Sequence, residues 1–371
     1  MRLFRKYLKA FGGLSLVVIL LLGCGKTEKN ISGKDPPSRS DAKYLLVDGN
    51  KIKYGNNTQG FQEVILRGVN VGDPYHLGSS GGFTTPNYTE IRNALKANAV
   101  RIAVHSRFWT ENKTSVLNCL KGNVQKALAA GLFVIIDYHT IAHPVDGSVN
   151  SYDGLYSADF DKARDFWTTI ASQPEFSDGR ILFELWNEPF SDNYNPNAYT
   201  SNWGILKAKW QILIDIIRAP ENNKRNIIIA SGQHWTFDLR GIKGDPLPDS
   251  NIAYAWHTYT GLHAASTWAA ALDELQNTKP VLVTEWGFEA ENSRAGSPDT
   301  DWTKLRGEFL QGKNLHSFAW AFCGWYTPNM LSDDHYYSSV VSFTESLLNS
   351  FGREVVDYLK YHYERGEQIF P

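Results

Sequence analysis

Ala99-Val-Arg-Ile-Ala-Val-His105 and Phe133-Val-Ile-Ile-Asp-Tyr-His139 are two runs, apolar along most of their length, that each end in a histidine. Between them, residues 117–130 carry apolar side chains at helical spacing. Strands without regular polar alternation suit a parallel sheet covered on both faces, and strand–helix–strand order suits βα units. Working outward, further short apolar runs lie at 64–70, 181–187, 226–231, 252–259, 281–285 and 317–322. Helical patterns fall at 89–98, 159–172, 203–218, 264–276 and 302–311, with a last helix expected at 340–348 or 355–363. Eight strand signals alternating with helices predict an α/β fold, a single (β/α)8 barrel. Ahead of it, residues 44–54 read as a short β-hairpin turning at Asp48-Gly49-Asn50. The sequence shows no internal repeat and no second domain, so the barrel domain is expected to run over 43–371.

The 371-residue composition, 42% hydrophobic and 20% charged, is that of a globular protein. Lys+Arg 37 against Asp+Glu 39 leaves a net charge of −2, with no basic footprint for nucleic acid. The 12 Trp and 18 Tyr supply either an aromatic core or flat apolar faces for a ring-shaped ligand such as a sugar. Composition alone leaves both readings open.

Residues 1–23 combine a basic start (Arg2, Arg5, Lys6, Lys9) with an apolar run from Leu14 to Leu22, too short to span a bilayer. They read as a secretory signal. The ending Leu21-Leu22-Gly23-Cys24 resembles a bacterial lipobox, which implies a lipidated Cys24 as the first mature residue and a charge of −6 without residues 1–23. Residues 24–42 contain almost nothing apolar and read as the lipidated Cys plus a flexible tether. Export to the cell envelope follows, with membrane contact only through the anchor. Gly25 stands where an Asp would favour inner-membrane retention, so the outer membrane or cell surface is the expected place. Cys119 and Cys323 are expected to stay as buried thiols, with a disulfide as the alternative.

Several strand candidates end in polar residues: Arg67 and Asn70, Arg101 and His105, Asp137 and His139, Asn187-Glu188, His257 and Tyr259, and Glu285. One such residue is commonplace; this many at strand C-termini, which share one rim of a barrel, mark a site. Glu188 follows the fourth strand and Glu285 ends the seventh, 97 residues later. Only the barrel can bring them together. Opposed carboxyls are what glycosidic cleavage needs, and a spacing of about 5–5.5 Å would mean a retaining mechanism.

With these residues in view, the chain resembles glycoside hydrolase family 5, the cellulase family, with catalytic Glu after strands four and seven. The matching pieces are Arg67-Gly-Val-Asn70, Val100-Arg-Ile102, Asp137-Tyr-His139, Trp186-Asn-Glu-Pro189, His257-Thr-Tyr259, Thr284-Glu-Trp286 and Trp320, in the family's order. The resemblance implies Glu188 as acid/base and Glu285 as nucleophile. It implies Asn187 on the sugar 2-hydroxyl, Arg101 and Tyr259 holding Glu285 ionised, His257 and His139 tuning the site, and Trp320 stacking under the sugar. Glu184 reads as a buried ion-pair residue and Asp137 as an orienting one. His105, Trp235 and Trp325 are cleft candidates, with His76, His143, Trp109 and Trp286 behind them; packing under the loops is the rival for each Trp.

The expected activity is retaining cleavage of a β-linked polysaccharide, cellulase-like endo-β-1,4-glucanase first. β-Mannanase, xyloglucanase, β-1,3-glucanase and transfer to a second sugar stay open. A reading of another class, a non-catalytic glycan-binding lipoprotein, loses ground because both Glu, Asn187 and Arg101 are intact. No cofactor or metal is expected: His139 and His143 are four apart, but on a strand end and loop rather than a helix, and no His-x-His occurs. The substrate is the one expected partner, and a monomer the expected state.

Overall fold

The computed structural model describes residues 42–79, 86–145, 159–191, 193–288, 298–323, 326–332 and 345–371. Eight parallel strands close into a barrel, as expected. In chain order they are β4 (Arg67–Val71), β5 (Ala99–His105), β6 (Phe133–His139), β7 (Ile181–Glu184), β8 (Ile227–Ser231), β9 (Ile252–Tyr259), β10 (Val281–Gly287) and β11 (His316–Ala319). Around them lie α1 (Pro74–Ser79), α2 (Tyr88–Asn93), α3 (Ser106–Ala129), α4 (Phe160–Ser172), α5 (Tyr199–Arg218), α6 (Trp268–Leu272), α7 (Pro298–Lys304) and α8 (Ser350–Glu364).

The helix α4 shows why these segments fold where they do. Asp159 caps it by accepting from the Lys162 N–H at 2.8 Å, and Ala163, Phe166, Trp167, Ile170 and Ala171 form its buried stripe. Three helices depart from expectation. The helix α3 starts eleven residues before 117, in a polar stretch whose Asn112 breaks the helical geometry (φ −143°). The expected 264–276 helix shrinks to α6 between short 3₁₀ turns, because Asp273 and Glu274 are left-handed (φ 50° and 54°). The 302–311 pattern spans the end of α7 and a π-helical segment, Leu305–Gln311. The last helix is the second of the two expected; of the first, residues 340–344 lie outside the described residues and Glu345–Leu347 form a 3₁₀ turn.

The hairpin is there as β1 (Tyr44–Asp48) and β2 (Lys51–Asn56), and a third strand missing from the sequence reading, β3 (Gly60–Glu63), extends it. Its Leu45, Ile52 and Tyr54 pack with Phe133, Ile135, Leu182, Ile227 and Phe318, so this sheet plugs the N-terminal end of the barrel. The opposite end is left for the site. Cys119 and Cys323 both stand as thiols; Cys323 is buried, but Cys119, on α3, is only half-buried, a departure from the expected burial. Cys24, the signal and the tether up to 41 lie outside the described residues. Among the described residues no helix is long and apolar enough to cross a membrane.

Candidate active site

The inside of the barrel changes chemistry along its length. Strand side chains alternate between faces, so the outward set (Val100, Ile102, Val134, Ile136, Phe183) packs under the helices. Inward positions begin apolar, at Ala99, Phe133, Ile135, Leu182 and Ile229. Toward the strand C-termini they become Arg101, Asp137, Glu184 and His257, all buried. Register sets Asn70 beside Arg101, Asp137 beside Glu184, and His257 beside Glu285. A register shift in β10 between Leu282 and Glu285 breaks the alternation there. Thr284 and Glu285 therefore both reach into the site rather than to opposite faces, and both hydrogen-bond inside it.

Arg101 is the hub. Its Nε donates to Glu184 Oε2 at 2.6 Å and its Nη2 to Glu184 Oε1 at 3.2 Å. Nη1 donates to Glu285 Oε1 at 2.8 Å and to Asn70 Oδ1 at 2.9 Å. Nη2 also reaches Asn187 Oδ1 at 2.7 Å and Asp137 Oδ2 at 2.9 Å. Burial disfavours its charge, but Asp137, Glu184 and Glu285 outweigh that and keep the guanidinium charged. Glu184 is thus the buried ion-pair residue expected of it. Burial pushes it up to about 7 while Arg101 pulls it down. Asp137, likewise buried to about 7, also holds the His139 Nδ1 at 2.7 Å.

Glu188 and Glu285 are brought together: their nearest ligand oxygens and the His257 nitrogen all lie within 4.8 Å of one another. Their surroundings differ. Glu285 accepts from Arg101 and from the Tyr259 hydroxyl at 2.5 Å. Glu188 Oε1 instead meets His257 Nδ1 at 2.8 Å. Burial raises both carboxyls, and the Glu285 charge raises Glu188 further, well above the usual range. At Glu285, the Arg101 charge and the Tyr259 hydrogen bond pull back against burial. The shared proton therefore belongs on Glu188. Burial also lowers His257 far below its ordinary value, with Arg101 adding to it, and brings His139 to about 3, so both rings are neutral.

Asn187 has its oxygen fixed by Arg101, a donor only, which leaves its Nδ2 facing away from that contact. Trp320 stacks flat on His139, ring centroids 5.2 Å apart and planes 4° apart. His105 is buried, edge-on to His139 at 4.7 Å, and its backbone N–H is held by Asp73 Oδ2 at 2.8 Å. Burial raises that Asp73 to about 6. His76 stacks on Phe108 beside it, and His143 is half-buried. Trp235 is half-buried on the loop after β8 and packs on Phe190 at 4.6 Å.

Two tryptophans are corrected. Trp109 is 2% exposed under α4, its Nε1 on Asp165 Oδ2 at 3.0 Å, and Trp286 is 1% exposed, stacked on Trp302. Both are packing residues. Trp325 lies outside the described residues.

One element the sequence reading missed supports Glu188 from behind. His234, Trp235 and Thr236 are three consecutive residues in the left-handed region (φ 49°, 61° and 59°), costly for the β-branched Thr236. The loop is bolted down: the Thr236 hydroxyl donates to the Asn187 carbonyl at 2.6 Å, and Thr236 O accepts from the His257 N–H at 3.0 Å. Trp235 N–H donates to the Pro189 carbonyl at 3.0 Å. The left-handed loop is thus tied to the backbone of both residues that flank Glu188, Asn187 and Pro189.

Glu188, His257 and Glu285 are close enough to share a cation. The histidine, however, has Nδ1 committed to Glu188 and Nε2 to Thr284 Oγ1 at 2.9 Å. A ligating imidazole would have to give up one of these, so the arrangement fits a hydrogen-bonded network better than a metal centre.

A parallel barrel with paired carboxyls on opposite strands at its C-terminal rim, one held protonated and one against a guanidinium, has the build of a glycosidase. Residues 54–324 match the family described as cellulase (glycosyl hydrolase family 5), and the chain belongs to that family. A cellulase from Thermoanaerobacterium sp. is 27% identical over 307 residues, 78% of this chain and 72% of its own length. An endoglucanase from Clostridium saccharobutylicum is 29% identical over 54% of this chain, which spans only 40% of that relative. In fold, a β-glucanase from Saccharophagus degradans in complex with cellotetraose superposes with a TM-score of 0.72 at 22% identity, over 90% of this chain and 99% of that one. The catalytic domain of a Thermobifida fusca endoglucanase gives 0.68 at 21% identity, over 85% and 97%.

Proposed function

We propose that the protein is a retaining endo-β-1,4-glucanase, with Glu285 as nucleophile and Glu188 as acid/base. The observation that carries this is the spacing and asymmetry of the pair. Carboxylate oxygens within 4.8 Å leave no room for the interposed water of an inverting enzyme, which needs about 6.5–9.5 Å between the carboxyls. Glu188, raised by burial and by its partner's charge, enters as the acid and protonates the leaving oxygen. Glu285, charged against Arg101 and Tyr259, attacks the anomeric carbon and forms the glycosyl ester. That step removes the Glu285 charge, so Glu188 becomes easier to ionise and takes a proton from the incoming water. In this reading Asn187 Nδ2 donates to the sugar 2-hydroxyl, and Trp320, backed by His139, stacks against a ring.

The β-1,4-glucan preference is supported by the names of the relatives, cellulase and endoglucanase, and by the cellotetraose bound to the S. degradans β-glucanase. We also infer a lipid-anchored enzyme of the cell envelope, a reading that rests on Cys24 and the tether; incorporation of labelled palmitate, lost in Cys24→Ala, tests it. For activity, residues 43–371 are assayed for reducing-sugar release from carboxymethylcellulose, barley β-glucan, glucomannan, galactomannan, xyloglucan and laminarin. Activity on the first two, absent in Glu285→Ala, is expected. Activity confined to a mannan, xyloglucan or laminarin would move the substrate, and silence on all six from a folded sample would overturn the reading.

A further inference from the structure

Behind the carboxyl pair runs a chain of hydrogen bonds whose proton positions follow from donor counting. Arg101 only donates, and its fork lies on both oxygens of Glu184, which marks Glu184 as the acceptor. Thr284 has a single hydroxyl proton and two neighbours, Glu184 Oε1 at 3.0 Å and His257 Nε2 at 2.9 Å. Both Glu184 oxygens already accept from the Arg101 fork, and the Thr284 hydroxyl donates its proton to Glu184 Oε1. The hydroxyl oxygen must then accept from His257 Nε2–H. A neutral imidazole carries one N–H, so Nδ1 is left with its lone pair. The 2.8 Å contact between that Nδ1 and Glu188 Oε1 is a hydrogen bond only if Glu188 carries the proton.

We propose that Glu184 is a positioning residue that, through Thr284, fixes the His257 tautomer and thereby holds the proton on Glu188 in the substrate-free enzyme. Ionising Glu188 would set a carboxylate against the Nδ1 lone pair, or force Thr284 to turn from Glu184 and the imidazole proton to move from Nε2 to Nδ1. Both cost a buried hydrogen bond. The same bias strengthens Glu188 as a base when it takes the proton of water. When a glycosidic oxygen enters, it competes with Nδ1 for the carboxyl proton, and nothing else in the chain need change.

Among the described residues, the charged and titratable groups around the pair are Arg101 from β5, Asp137 and His139 from β6, Glu184 from β7, Tyr259 from β9 and Glu285 from β10. Among them Glu285, Asp137 and Glu184 disfavour the Glu188 charge through space and Arg101 favours it. A charge effect of Glu184 must therefore be separated from the relay. Thr284→Val does so: it deletes the hydroxyl and leaves every charge in place. Glu184→Gln changes both. Its amide oxygen is claimed by the 2.6 Å contact with Arg101 Nε, which turns the amide NH₂ toward Thr284 and reverses the chain.

The inference rests on the acid/base role given to Glu188, so the experiment has two arms. In the first, kcat/KM on barley β-glucan is followed against pH. Thr284→Val and Glu184→Gln are expected to move the alkaline limb to lower pH, with about fivefold lower kcat/KM beyond it, the size of one net hydrogen bond. Thr284→Ser is expected to restore the wild-type limb. An alkaline limb unmoved in Thr284→Val, beside a shifted Glu184→Gln, would mean charge alone and overturn the relay. In the second arm, long-range ¹H–¹⁵N spectra of the substrate-free wild type, with His257 assigned by its loss in His257→Gln, report which ring nitrogen holds the proton. Nε2–H is expected, and Nδ1–H in Thr284→Val. Nδ1–H in the wild type would refute the proposal whether or not the enzyme cleaves β-glucan or Thr284→Val folds.

Discussion

Replacing Arg101 by Met keeps a long unbranched stem and removes the guanidinium around which three buried carboxyls are arranged. The side chain is fully buried and bonds Asp137, Glu184 and Glu285 as well as Asn70 and Asn187. Removing one partner of a buried ion pair typically costs about 3–5 kcal/mol. Three stranded carboxylates would cost more if they stayed charged, but they can take up protons instead, which holds the loss near that range. In a barrel of this size that is a fall in Tm on the order of 10 °C. The pH dependence gives the sharper test. Burial already places Asp137 and Glu184 at about 7, above their unfolded values. A carboxyl raised in this way contributes stability that is fully present below its unfolded pKa and lost as pH rises through the folded one. Without Arg101 the folded values climb further, so the deficit against wild type should widen from pH 5 to pH 8. In activity, Glu285 loses its strongest source of ionisation, so the acid limb of kcat/KM should move to higher pH. Calorimetry across that range, with rates on barley β-glucan, checks both. An unmoved acid limb with full activity would refute the pairing of Arg101 with Glu285, and a Tm difference independent of pH would refute the carboxylate account of the stability loss.

Glu188→Ala is expected to lose about 10²–10⁴ in rate on substrates with poor leaving groups, with azide restoring part of the rate on an activated aryl cellobioside; indifference to leaving group and azide would deny it the acid/base role. Trp109→Ala should cost about 3–5 kcal/mol of stability with KM nearly unchanged at low temperature, whereas Trp235→Ala should raise KM with a small change in Tm; the reverse pattern would undo the division between packing and rim. EDTA is expected to leave the rate unchanged, and a reversible loss restored by a divalent cation would place an ion among Glu188, His257 and Glu285.

The barrel was legible because its strands carry their burial in composition: runs such as 133–139 and 252–259 are apolar on both faces and end where the polar rim begins. What was not legible depends on backbone geometry that side-chain periodicity does not encode. Nothing in the composition of 264–276 announces that Asp273 and Glu274 turn left-handed and break the helix, and β3 is too short and polar to stand out. The site divides in the same way. Glu188, Glu285, Arg101, Asn187, His257 and Tyr259 could be named from strand-end position and family resemblance, and the structure brings all of them together. Thr284 could not be placed, because alternation from Glu285 points it outward and only the irregularity in β10 brings it in. Thr236 was equally silent, since its role comes from three left-handed residues in a loop. The tryptophans failed for another reason: Trp109 and Trp286 lie beside rim positions in sequence, but one finds Asp165 and the other Trp302 beneath the surface.

The central claim is that Glu285 becomes covalently attached to the sugar. Incubation with a 2-deoxy-2-fluoro-cellobioside bearing an activated leaving group, followed by proteolysis and mass spectrometry, tests it directly. One adduct per chain, on the peptide containing Glu285 and absent in Glu285→Ala, is the expected result. An adduct on another residue, or none while the enzyme turns over β-glucan with inversion at the anomeric carbon, would contradict it.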